Sequence, residues 1–254
     1  MRTVVIIPAR MGSSRFPGKP LAKVLGLPMI EHVRRRAMLC PGIDEVLVAT
    51  CDEAIRRAVE SYGGTAVMTS DQHERCTDRI AEAARSVEAD VLVNVQGDEP
   101  CVLPECVADV ARPLQEDPEP VCSCLVYPVA TYEELDNPNY VKTVLSQSGS
   151  VLYFSRSVIP SRRAGESPPL YRQSGIMAYR KPFLLEFVSM PQTPLERVES
   201  VDMLRILEND GRIRAVVTPY VTPGVDVPGD VEIVERLIRS DVTQRRLYDR
   251  ICAL

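Results

Sequence analysis

The first half of the sequence repeats one pattern, a short β-branched run followed by a stretch of helical spacing. Residues 3–7 read as a buried strand. Across 28–40, Met29, Ile30, Val33, Ala37 and Met38 recur at the spacing of one helix face. A strand follows at 45–49, then a helix to 62 with Asp52 as its cap and Gly63-Gly64 as its stop. Residues 65–68 and 91–95 read as strands, and 77–87 and 104–114 as helices. Strands separated by helices join through right-handed crossovers. The pattern therefore predicts an α/β fold with a mostly parallel central sheet covered on both faces.

The second half is less regular. Strands are expected at 121–129, 140–145, 151–155 and 176–179, with a polar loop at 161–169 and a helix near 182–188. One helix is expected over 195–209, with Thr193 as cap and Gly211 as stop. A strand at 212–218 and a helix over 228–240, extended by the tail, complete the pattern. No repeat or independent linker interrupts the chain. We read residues 1–254 as a single domain with an inserted sheet at roughly 121–180.

Composition narrows the function classes. The 254 residues are 45% hydrophobic and 26% charged, as in ordinary globular proteins. A net charge of −5 argues against a nucleic-acid partner, which needs a basic face. The N-terminus opens directly into a strand, and no run approaches the ~20 apolar residues of a membrane helix. Eight scattered cysteines without paired CxxC spacing read as reduced thiols of a cytoplasmic protein, and Cys122 and Cys124 as packing residues. Lysine occurs only at 19, 23, 142 and 181, so arginine supplies nearly all the basic charge.

Three segments carry candidate chemistry. Residues 8–20, PARMGSSRFPGKP, follow the first strand, so they lie where open α/β sheets bind ligands. Small residues at Ala9, Gly12, Ser13 and Ser14 let backbone N–H groups approach phosphates, and Arg10, Arg15 and Lys19 supply charge. The spacing is not that of a P-loop, because Pro20 follows Lys19 where a hydroxyl would be needed. The second segment is an apolar strand ending in Gln96-Gly97-Asp98-Glu99, and a carboxylate there can hold magnesium beside phosphates. The third is Gly224-Val225-Asp226, where Asp226 taken alone reads as a helix cap.

Together these residues resemble the 3-deoxy-manno-octulosonate (Kdo) cytidylyltransferase family, which makes CMP-Kdo for lipopolysaccharide in the cytosol. The shared motifs are IIPAR (6–10), GSSRFPGKPL (12–21), NVQGDEP (94–100), NPNYVK (137–142), YFSRSVIP (153–160) and GVD (224–226). The resemblance implies a Rossmann-like nucleotidyltransferase fold whose smaller inserted sheet forms a homodimer. It implies CTP and a small acidic acceptor as partners, with magnesium as cofactor. By matching position, Ala9, Arg10, Gly12, Ser13, Arg15, Lys19, Thr77 and Arg79 would bind CTP. Arg10, Lys19, Gln96 and Asp98 would act at the reacting centre. Asp98 and Asp226 would hold the metal, and Gln96, Arg156, Ser174, Glu199 and Arg75 would face the acceptor.

The departures cluster at acceptor positions. Arg75-Cys76 stands where the family usually has Ser-Gly, Ser174 and Met177 where it has His and Tyr, and Met203 where it has Gln. Polar reach is thus lost at three places, which predicts poor handling of Kdo and opens the alternative of a phosphonate or phosphinate acceptor such as phosphonoformate. A catalytically inactive nucleotide-binding subunit would lack Lys19 or the carboxylates, and this chain lacks neither.

Overall fold

All seven residues of β1 (Thr3–Ala9) are buried, as expected of a central strand covered on both faces. The computed structural model describes residues 1–129, 131–161 and 169–254. Its contacts divide the chain into two units, Met1–Ala108 with Thr222–Leu254, and Asp109–Val221.

In the first unit, β1 leads through a single-turn 3-10 helix (Lys19–Leu21) to a hairpin of β2 (Lys23–Val24) and β3 (Leu27–Pro28). Then come α1 (Met29–Met38), β4 (Glu45–Thr50), α2 (Glu53–Ser61), β5 (Thr65–Met68), α3 (Cys76–Ala84) and β6 (Val91–Asn94). Strand β1 pairs in parallel with β6 on one side and β4 on the other, and β4 pairs in parallel with β5. Strands β1, β4, β5 and β6 therefore end at the same edge, and the loops that follow them gather there.

Helix α4 (Pro104–Glu116) precedes the strands of the second unit. There β7 (Cys122–Pro128) is followed by a short helix, α5 (Tyr132–Asp136), with Thr131 Oγ1 accepting from the N–H of Glu134. Next are β8 (Lys142–Leu145), β9 (Val151–Ser155), β10 (Tyr171–Arg180) and α6 (Lys181–Phe187). Helices α7 (Pro194–Glu199) and α8 (Met203–Glu208) and strand β11 (Ile213–Val217) complete it. Strands β7–β10, β10–β8 and β8–β9 are antiparallel, while β11 joins β7 in parallel. Cys122 and Cys124 are fully buried thiols whose pKa values burial pushes up, that of Cys124 to about 12.

Three expectations are corrected. The single helix over 195–209 is broken, because Ser200 takes a left-handed φ of 53° and ends α7. Strand β10 begins at Tyr171, earlier than 176. The tail does not extend the preceding helix: α9 (Asp230–Ser240) stops at extended Asp241, whose carboxylate accepts the N–H of Gln244 and starts α10 (Val242–Cys252). The loop expected at 161–169 lies, apart from its two ends, outside the described residues.

Candidate active site

The parallel register brings the ends of β1, β5 and β6 to one cleft of about 340 Å³ in the first unit. Ala9, Arg10, Gly12, Ser13, Arg15 and Lys19 line it from the loop after β1. Gln96, Gly97 and Asp98 line it from the turn after β6. Gly97 suits this close approach, because a Cβ would stand 3.0 Å from the Pro8 carbonyl oxygen.

Local hydrogen bonds shape the loop after β1. The N–H groups of Ser13 and Gly18 both donate to the Met11 carbonyl at 3.0 Å, and Gly18 takes φ 75°, a turn favourable to glycine. The N–H of Met11 donates to Asp52 Oδ2 at 2.8 Å. Asp52 does stand at the N-cap of α2, but its side chain makes no cap bond and holds the loop instead.

Both proposed metal carboxylates carry cations. Lys19 Nζ donates to Asp98 Oδ2 at 2.5 Å and to the Val225 carbonyl at 2.9 Å. Arg15 Nη2 lies 2.9 Å from Asp226 Oδ1. The two carboxylates are brought near one another by backbone, since Val225 N–H donates to the Asp98 carbonyl at 2.9 Å. Val225 is itself buried with Val24, Met29, Cys101, Val234 and Ile238, which anchors the segment that presents Asp226. The reading of Asp226 as a helix cap does not hold. Helix α9 starts at Asp230, and the Asp230 carboxylate accepts the N–H groups of Asp226 and Val227.

Of the wall after β5, sequence reasoning named Arg75 and Arg79 as site residues and Cys76 as a departure from the family pattern, but missed His73 and Glu74. His73 Nε2 contacts the Glu82 carboxylate, which also accepts the N–H of Ser70. These bonds, that of Ser70 first, hold the Glu82 carboxyl below its ordinary pKa. Arg79 lines the cleft while donating to Thr69 Oγ1 at 2.5 Å and the Ser70 carbonyl at 3.2 Å, so it braces this loop. Thr77 is buried in α3 and is not among the lining residues. Position alone could have identified this wall, because it follows a parallel strand at the same edge as the phosphate loop.

Arg156, Ser174 and Glu199 lie in the second unit. Glu199 accepts from Ser155 Oγ at 2.7 Å and from Arg156 N–H at 2.8 Å. The Arg156 guanidinium donates to the carbonyls of Pro138, Glu199 and Ser200. Lys142 is buried, and its ammonium donates to the carbonyls of Asn137, Tyr140 and Arg156. Ser174 Oγ accepts the N–H of Ile176, a bond within its own strand.

Residues 4–213 match the cytidylyltransferase family model. The 3-deoxy-manno-octulosonate cytidylyltransferase of Desulfatibacillum aliphaticivorans is 45% identical over 94% of this chain and 100% of its own length. That of Chlorobium limicola is 44% identical over 94% and 98%. The chain belongs to the 3-deoxy-manno-octulosonate cytidylyltransferase family. The solved structure of CMP:2-keto-3-deoxy-manno-octonic acid synthetase complexed with CTP matches at a TM-score of 0.91 and 39% identity, covering 95% of this chain and 100% of that one. A 4-diphosphocytidyl-2C-methyl-D-erythritol synthase from Anaerococcus prevotii, 12% identical at a TM-score of 0.64, shares the fold. This cytidylyltransferase is therefore an enzyme of the nucleotidyltransferase class. Among the described residues no helix is long and apolar enough to cross a membrane.

Proposed function

We propose that this cytidylyltransferase transfers CMP from CTP to Kdo or a closely similar sugar acid. The supporting observation is the cleft in which Arg10, Arg15 and Lys19 of a small-residue loop face Gln96 and Asp98. An oxygen of the acceptor forms a bond to the α-phosphorus while the bond to the bridging oxygen breaks. Pyrophosphate leaves, and the acceptor's proton passes to solvent. Arg10, Arg15 and Lys19 bind and orient the triphosphate and neutralise charge on the leaving pyrophosphate. The likeness to the CTP-bound synthetase supports the choice of nucleotide.

Magnesium belongs to this reading. Among the described residues no group of three His, Cys, Asp or Glu side chains could hold a metal. Asp98 and Asp226 offer two hard oxygen donors, and these fit an ion that takes one or two carboxylates and completes its shell with phosphate oxygens and water. When bound, the ion would withdraw charge from the phosphates. A homodimer formed through the antiparallel sheet and a cytoplasmic location complete the reading, on the family likeness.

One observation favours a second acceptor class, a smaller phosphonate-type acid. Tyr179 donates its hydroxyl toward the sulfurs of both Met177 and Met203, at 3.5 and 3.7 Å, and both methionines are buried. These positions thus present thioethers packed in the second unit where the family resemblance expects a Tyr and a Gln. Pyrophosphate release from CTP with Kdo, and separately with phosphonoformate, tests both readings. Turnover of Kdo alone supports the first, turnover of phosphonoformate alone supports the second, and release with neither acid overturns both.

A further inference from the structure

Four charges meet where the phosphate loop touches the two carboxylates, and they cancel in pairs. Lys19 pairs with Asp98, and Arg15 with Asp226. The pairs differ in weight. The Lys19 and Asp98 side chains are 14% and 34% exposed, whereas those of Arg15 and Asp226 are 63% and 58% exposed and screened by water. Lys19 also holds the Val225 carbonyl, so its ammonium is seated on both sides of the cleft floor.

We propose that Lys19, with a lesser contribution from Arg15, occupies the metal carboxylates until a triphosphate draws these cations away, so that the site accepts a divalent cation only together with its nucleotide. The inference rests on the reading of Asp98 and Asp226 as metal ligands. A bare divalent cation would have to displace an ammonium and a guanidinium from their carboxylates. Neither would gain a new anionic partner. A triphosphate supplies that partner, because its oxygens accept charge-assisted hydrogen bonds from the same two side chains. Metal and nucleotide then favour each other's binding, by the same factor in either order. Lys19 thus does two things: it binds phosphate, and it keeps free metal off Asp98 when phosphate is missing.

The test is a Mn2+ titration followed by electron paramagnetic resonance, with and without CTP and without acceptor. It compares the wild-type protein with Lys19→Ala, Arg15→Ala, Asp98→Asn, Asp226→Asn and Lys23→Ala. Lys23 is an exposed lysine on β2 that does not line the cleft. Without CTP, Lys19→Ala should bind Mn2+ about five- to tenfold more tightly than wild type, Arg15→Ala by a smaller factor, and Lys23→Ala unchanged. The enhancement of Mn2+ affinity by CTP should shrink in Lys19→Ala. Nucleotide-free affinity that is unchanged or weaker in Lys19→Ala, or that rises equally in Lys23→Ala, overturns the exchange. Should Lys19→Ala fail to fold, Arg15→Ala carries the same comparison, and affinity no tighter than wild type overturns it. If Asp98→Asn loses Mn2+ in the presence of CTP while Lys19→Ala gains nothing, the ligand assignment stands and the exchange falls. If Asp98→Asn and Asp226→Asn both bind Mn2+ with CTP as wild type does, the ligand reading and the exchange fall together.

Discussion

The carboxylate of Asp52, just past the end of β4, accepts the backbone N–H of Met11 and so fixes the phosphate loop to the neighbouring strand. Replacing Asp52 with Ala removes a hydrogen bond to a charged group, worth about 1.5–3 kcal/mol, and frees the loop before it meets phosphate. CTP affinity should fall on the order of tenfold by calorimetric titration. Asp52→Asn, which keeps an acceptor oxygen, should retain most of it. Unchanged affinity in Asp52→Ala would show that the loop is held by other bonds.

Asp98→Asn and Asp226→Asn should each remove most turnover while leaving thermal unfolding near that of the wild-type protein. Each keeps the size of its side chain and loses the anionic oxygen that magnesium requires. Rates of pyrophosphate release at limiting magnesium provide the check. A variant that turns over like the wild type there is not a metal ligand.

His32 should make the fold sensitive to acid. It is buried in α1, its Nε2 donates to the Val24 carbonyl at 2.8 Å, and its ring stacks on Tyr248 at 5.7 Å. Burial first, with Arg36 and Arg35 nearby, pushes its pKa from 6.5 down to about 4. Below pH 6.5 the unfolded chain binds a proton that the folded one refuses, so stability falls as pH drops toward 4. The loss should reach about 2 kcal/mol between pH 7.5 and 5 in urea melts. His32→Gln keeps a donor for Val24 and should flatten that dependence. An equal acid loss in the variant would assign it to other groups.

The parallel strands of the first unit were legible because β1, β4 and β6 bury continuous runs rich in β-branched residues, and the loop at 8–20 and Asp98 follow the ends of β1 and β6. The β2–β3 hairpin was not, because two residues a side leave no periodicity to read. The break at Ser200 escaped because apolar spacing runs through it unbroken. What ends the helix is one left-handed residue, and the turn it makes accompanies the bonds of Glu199 to Ser155 and Arg156. Asp226 looked like a cap from its neighbours in sequence. Its true partner, Arg15, lies 211 residues away, beyond the reach of any local rule.

That separation has a consequence for the making of the protein. A ribosome releases the phosphate loop and Asp98 early, but the whole of Asp109–Val221 must emerge before Val225 can reach the Asp98 carbonyl. Closing so long a loop is slow compared with forming the local βαβ units. The nascent chain therefore carries the loop after β1 and Asp98 before Asp226 exists, and the Val225–Asp98 bond closes as one of the last events of its synthesis.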